Sequence, residues 1–408
     1  MKRMKNRFVA AALLAVCLSG CSAMGQTGQS IPEKYGASGL AAEYLSRCDL
    51  LLQQERYDEA AANLVKAFEY DTEAGLLYAA TYPENWLEEV MAELDGMAEK
   101  EPWRPLWPYI AGKVSQTHEQ YTRAAIYFTK VAEMVPEDFF DAIIADCYYS
   151  DNRYHEASEY YKRAGDKYPG VISYVGKLAD SREGLGDFDA ALAYRDRMVA
   201  EHPDDKSYYA ARARTLMKAG KYDKAMDDLS KVASFGLDKM EEAANSLTYA
   251  DALRLSGQRD KARAMYGKVV ETALKSGAPD ASLALAYASL GEGDKAVAAM
   301  ERVLAADSVN EGADRYRQAC MFVRLGRNAD AIAALEKAHS AGFYNGGQIM
   351  TDYDMAPIRD TEEFRNLMIP YYPQLFFDPV DDTQHRVISE DEPTEDHCIG
   401  TFSSKISE

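Results

Sequence analysis

Asn152-Arg153-Tyr154-His155-Glu156-Ala157, Gly186-Asp187-Phe188-Asp189-Ala190-Ala191 and Gly220-Lys221-Tyr222-Asp223-Lys224-Ala225 share one pattern, an aromatic third residue and an alanine sixth, at intervals of 34 residues. Working outward, Glu55 to Ala60 and Glu119 to Ala124 repeat it upstream, and three later copies end in Ala262, Ala296 and Ala331. From Ala124 onward the alanines are 33, 34, 34, 37, 34 and 35 residues apart. A fixed period of this length marks a stack of small structural units rather than one large core. The 64 residues between Ala60 and Ala124 leave room for one degenerate unit at about 73–104, with Trp86, Leu87, Val90, Met91 and Leu94 at helical spacing.

Each copy has a second small residue twelve positions earlier: Cys48, Gly112, Ala145, Ala179, Ala213, Ala250, Ala284 and Ala319. Small side chains at both positions let two antiparallel helices approach closely. Apolar residues at helical spacing surround them, as in Tyr148, Tyr154 and Tyr161, and Pro136, Pro169 and Pro203 stop the second helices. Over residues 40–340 the chain resembles the tetratricopeptide-repeat family. The resemblance implies an all-α fold, a right-handed α-solenoid of about eight to nine helix pairs. Residues 341–370, with Asp354 to Arg359 followed by Phe364 and Leu367, look like the capping helix that closes such arrays.

The amino terminus carries Lys2, Arg3, Lys5 and Arg7, the apolar run Phe8 to Leu18, then Leu18-Ser19-Gly20-Cys21. Eleven apolar residues are too few to span a bilayer and suit a signal-peptide core. The ending resembles the bacterial lipobox, which implies cleavage after residue 20 and a lipid on Cys21. Ser22 stands where an inner-membrane retention aspartate is absent, so the expected location is the outer membrane, facing the periplasm. Residues 21–39, rich in Gly, Ser, Thr and Gln, are expected to form a flexible tether. Residues 371–408 carry nine Asp and Glu side chains against Arg386 and Lys405, an acidic tail.

A net charge of −20 disfavours nucleic acid and anionic lipid surfaces as partners. Cys48, Cys147, Cys320 and Cys398 are far apart and lack metal-site spacing, and His397-Cys398 is a weak pair. No protease, nucleophile-elbow or phosphate-loop motif occurs, so neither metal nor cofactor is expected and the chain is read as a non-enzyme. Gly184-Leu185-Gly186 and Gly291-Glu292-Gly293 read as turns between helices. Trp86, Trp103 and Trp107 suit repeat-junction packing better than a sugar-stacking platform.

In the family that the array resembles, first helices line the inner wall, and the residue after the first small position points into it. That resemblance assigns a partner-binding strip of Lys113, Asp146, Asp180, Arg214 and Asp251, joined one turn on by Tyr149, Glu183 and Arg254, with Tyr109 adding contact area. The lysine and asparagine clamp of chaperone-tail-binding relatives is absent. The structural alternative is lateral pairing between repeats, with Arg214 and Arg254 as partners of the aspartates. The expected function is a membrane-anchored envelope scaffold binding proteins or peptide segments; a glycan-binding nutrient-uptake lipoprotein is the second reading, and an enzyme with an unfamiliar site the third. Cys21→Ala is expected to yield a soluble or unprocessed product. Fractionation with mass spectrometry of the mature amino terminus checks this, and a firmly membrane-bound protein starting elsewhere contradicts it.

Overall fold

The computed structural model describes residues 34–37, 39–81, 86–136, 139–278, 280–306 and 310–376. The leader, Cys21, residues 22–33 of the tether and the tail beyond Phe376 lie outside the described residues. The elements run α1 (Gly39–Leu52), α2 (Tyr57–Tyr70), α3 (Thr72–Ala79), α4 (Leu87–Lys100), α5 (Leu106–Thr117), α6 (Tyr121–Met134), α7 (Phe140–Ser150), α8 (Tyr154–Lys167), α9 (Ile172–Gly184) and α10 (Phe188–Glu201). They continue α11 (Lys206–Lys218), α12 (Tyr222–Ala233), α13 (Lys239–Leu255), α14 (Arg259–Ser276), α15 (Ala281–Leu290), α16 (Gly293–Leu304), α17 (Glu311–Arg324), α18 (Asn328–Ser340), α19 (Gly346–Thr351) and α20 (Glu362–Tyr371). No strand occurs among the described residues. The fold is an all-α solenoid in which each helix packs mainly on its neighbours in the chain.

The paired small residues are the contact points of this stack. Cys48, Ala145, Ala179, Ala213, Ala250, Ala284 and Ala319 are fully buried, as are Ala60, Ala124, Ala157, Ala191, Ala225, Ala296 and Ala331 opposite them. At Gly112 even a methyl group would lie 2.7 Å from the Phe128 ring, so this copy has room for hydrogen alone. The residue opening each six-residue motif takes a left-handed backbone: Gly186, Gly220, Gly257, Gly291 and Gly326, but also Glu55, Glu119 and Asn152. Glycine has no Cβ penalty there, and asparagine is the side chain that tolerates the conformation best. Capping follows local chemistry too: Asp238 accepts from the backbone of Met240 and Glu241, and the Glu241 carboxylate returns a bond to Asp238.

Four expectations are adjusted. The degenerate unit forms helices, but α3 and α4 both pack on α2 and α5. The tether ends before residue 34, because Tyr35 and Ala37 are buried and the Tyr35 hydroxyl lies 2.9 Å from Thr81 Oγ1. At the other end the fold extends past 370: Tyr372 is buried and Pro373–Leu375 forms a 3-10 turn. Finally, the closing segment does more than cap. Met355, Ile358, Phe364 and Met368 join the apolar core of the last repeats, while α19 lies against α9, far back along the chain.

The apolar core is correspondingly uneven. One large cluster runs from Tyr35 to Cys147 and another from Ala243 to Tyr372; between them lie two small clusters of five and four buried residues. Ala191 sits in this thinner middle section. Replacing it by phenylalanine is expected to force α9 and α10 apart and destabilise the protein by about 1–3 kcal/mol. Hydrogen exchange should quicken most in α9 to α12 and least in α1 and α2; uniform loss of protection would contradict this packing.

Candidate functional site

The middle section replaces apolar contacts with charge. Four residues after the alanine that ends each six-residue motif the copies carry Leu64, Phe128, Tyr161, Leu229, Tyr266, Met300 and Leu335, all buried; in α10 the same position is Arg195, also buried. A guanidinium in that register needs anions. Asp180 and Glu183 on α9 supply them, Arg195 Nη2 standing 3.0 Å from Glu183 Oε1 and also pairing with Asp180. Glu183 in turn accepts from Thr215 Oγ1 at 2.5 Å and from Lys218 Nζ at 2.9 Å, both on α11. Burial pushes the Glu183 carboxyl up, and Lys218, Thr215 and Arg195 outweigh it, holding the group below the ordinary carboxylate range.

Asp180, Glu183, Arg195 and Lys218 line a cavity of about 350 Å³ together with Tyr149 and Tyr154. Its other wall is the closing segment: Asn345, Gly347, Gln348, Thr351, Asp352 and Tyr353. The Tyr149 ring meets Tyr154 edge-on with centroids 5.3 Å apart, and burial followed by the charges of Asp180 and Glu183 pushes its phenol well above the usual range. Arg214 on α11 also lines the cavity. It is exposed and, among the described residues, makes no hydrogen bond or ion pair. Lys218, Arg195, Asp180 and Glu183 are engaged with one another and Asp352 accepts from Tyr316 at 2.7 Å; Arg214 is the cation lining the cavity that has no partner among the described residues.

The structure thus brings together four of the predicted strip: Tyr149, Asp180, Glu183 and Arg214. Lys113, half-buried on α5, bonds Gln116 and does not line the cavity. Asp146 accepts from Tyr161 at 2.5 Å and pairs with Lys177 of the next repeat. Tyr109 is a correction: it is buried against Phe128 and Phe140, at ring distances of 6.1 and 6.5 Å, and offers no contact surface. It precedes Gly112 by three residues, which puts it on the packed side of α5.

Asp251 is the second correction, for it is 1% exposed and lies under the closing segment. Arg324 grips it with two bonds of 2.9 and 2.7 Å, and Tyr266 and Tyr353 donate to it at 2.6 and 3.0 Å. Arg324 also binds Asp354 at 2.6 Å, and Arg254 stands 3.6 Å from the same carboxylate. Ion pairing is therefore how the three aspartates are used: Asp146 with Lys177 of the next repeat, Asp180 with Arg195 of its own repeat, and Asp251 with Arg324 and, at 3.7 Å, with Arg254, whereas Arg214 pairs with none of them. The tryptophans divide as well: Trp86 and Trp107 are core residues, whereas Trp103 is 74% exposed.

Sequence reasoning missed Asn152, Arg195, Lys218 and Arg324. Arg195 had a signal, a charge in an otherwise apolar register. Asn152 had another, an asparagine where five copies carry glycine. Among the described residues no three His, Cys, Asp or Glu side chains group as a metal site, and no helix is long and apolar enough to cross a membrane.

Two family profiles described as tetratricopeptide repeat match the chain, over residues 143–170 and 177–236. Over those residues the chain carries tetratricopeptide repeats. The matched repeats are those whose first helices, α7, α9 and α11, build the cavity. Among solved structures the chain is similar to the C-terminal part of a TPR repeat-containing protein from Cytophaga hutchinsonii, with 14% identity and TM-score 0.42, covering 71% of this chain and 99% of that one. It is also similar to the apo form of RapI, with 12% identity and TM-score 0.43 over 76% and 98% of the two chains. A third is pilF of Pseudomonas aeruginosa, with 16% identity and TM-score 0.33 over 57% and 91%. No curated protein matches.

Because the Glu183 carboxyl is held below its unfolded value, its contribution to stability is complete above about pH 5 and is lost as the pH falls through the folded-state value. Glu183→Gln breaks a buried network and should lower stability at pH 7 by about 3 kcal/mol. Urea unfolding of both proteins should show the gap narrowing towards pH 3. An equal gap at both pH values would show that the charge of Glu183 is not what holds the repeats together.

Proposed function

We propose that this protein is an adaptor of the bacterial cell envelope, anchored through a lipid on Cys21, that holds a segment of another protein against the inner faces of α7, α9 and α11. The repeats supply the binding platform. The leader and lipobox-like Leu18 to Cys21 support the anchor and the outer-membrane location, and a short tether lets the body stand off the membrane surface. The observation that carries the binding role is Arg214. It projects into a walled cavity with no partner among the described residues, while the other cations there, Arg195 and Lys218, are already paired. An uncommitted guanidinium in such a place is suited to a carboxylate brought by a ligand, which it binds through paired N–H groups.

The partner is accordingly a protein segment with an acidic side chain or a free carboxyl end. A glycan platform is less well supported, since two of the three tryptophans are in the core and Trp103 stands alone. Crosslinking in the native envelope, followed by recovery of the lipidated protein, tests the reading. Arg214→Glu should reduce capture of the specific partner at least tenfold and Arg214→Lys should retain part of it. Neither should move the melting temperature appreciably, because the side chain is exposed and unpaired. Equal capture by wild type and Arg214→Glu would refute the proposed site.

A further inference from the structure

The cavity is bounded by part of the chain itself, and that part is held as a bound peptide is held. Asn152 Nδ2 donates to the Tyr344 carbonyl at 3.0 Å, and Asn152 Oδ1 accepts from the Gly346 N–H at 2.8 Å. The Tyr154 hydroxyl accepts from the Gly347 N–H at 2.9 Å and donates to Asn152 Oδ1 at 2.6 Å. These bonds read main chain, not side chain. Gly347 fits because a methyl group there would lie 2.5 Å from the Tyr154 hydroxyl oxygen.

The segment divides sharply in how it is held. From Met355 onward the side chains of Met355, Ile358, Phe364 and Met368 are sunk in the core of the last repeats. Between Tyr344 and Tyr353 only Ile349 is a fully buried apolar side chain, and polar bonds do most of the rest. Gly342, with φ of +86°, stands just before this stretch, where a left-handed residue lets the chain turn out of α18.

We propose that residues 344–353 are a built-in occupant of the inner groove, and that the partner is a peptide segment of the same kind that enters by displacing them. This rests on the reading of the groove as a protein-binding site. The geometry specifies the partner: two consecutive small residues in a turn, offering their backbone to Asn152 and Tyr154, and a carboxylate within reach of Arg214. Hydrogen bonds to main chain set the position; the second small residue avoids collision with Tyr154, and the first, as Gly346 does, with Tyr372 and Leu375. Until such a segment arrives the occupant shields the polar groups of the groove.

The test uses the full mature chain and, as probe, a labelled synthetic peptide of residues 342–356. Gly347→Val collides with Tyr154 and should free the occupant, seen as faster amide exchange at residues 344–353 with α20 still protected. The peptide should then bind this variant at least tenfold more tightly than wild type, whose groove is filled. Asn152→Gly keeps the left-handed turn, as glycine does in five other copies, and removes the side chain; added to Gly347→Val it should return binding to the wild-type level. Weak binding to Gly347→Val despite fast exchange overturns the proposal, and if Arg214-dependent crosslinking persists the adaptor reading stands without it. Slow exchange at 344–353 in both variants shows a permanent wall and overturns it equally.

Discussion

Two helices can lie close only where neither puts a large side chain between them. Eight times along this chain a Cys, Gly or Ala faces an Ala twelve residues on, and every pair is buried. That approach sets the depth of each repeat, and the depth aligns first helices with first helices. The inner wall, its spacing and the side chains projecting from it follow from that contact. Gly112 shows how strict the limit is, since the Phe128 ring fills the place of a methyl group.

The middle repeats meet a second demand. Their apolar clusters are small, and Arg195, Glu183, Asp180, Lys218 and Thr215 knit α9, α10 and α11 together where other copies use leucine, phenylalanine or tyrosine. Buried charges add little net stability but are costly to leave unpaired, so they define one arrangement rather than many. A polar middle between two apolar ends places the cavity there. The Asp251, Arg324 and Asp354 cluster does the same work at the far end of the closing segment.

The solenoid was legible because its signal is repeated: any one six-residue motif is weak, and eight in register are not. The proposed strip was legible in part. Position relative to the small residues singled out Tyr149, Asp180, Glu183 and Arg214, which share one cavity, yet could not tell an inward residue from one paired sideways, as Asp146 is, or roofed over, as Asp251 is. Tyr109 failed for geometric reasons, lying on the packed side of its helix. The contacts of Asn152 with Tyr344 and Gly346 had no periodic signal at all, since they occur once and join residues nearly two hundred positions apart. Arg195 shows the reverse case, a legible break in the register whose meaning depends on knowing which anions lie opposite.

Asn152 and Tyr344 are separated by 192 residues, and Tyr154–Gly347 and Asp151–Gln374 bonds join the same two regions, which gives this otherwise local fold one long-range junction. Repeats of this kind assemble from neighbour to neighbour as the chain grows, without waiting for distant sequence. Ordering a loop of this length from a flexible chain would cost about 5 kcal/mol, but the intervening helices can be in place beforehand, so the closure is largely that of a stiff arc. It nevertheless depends on the repeats being in place: α7 to α12 lie wholly upstream of residue 344 and make their own contacts without it. Until the closing segment docks the inner face is open, so its closure is a separate step that distinguishes the finished molecule from its repeats alone.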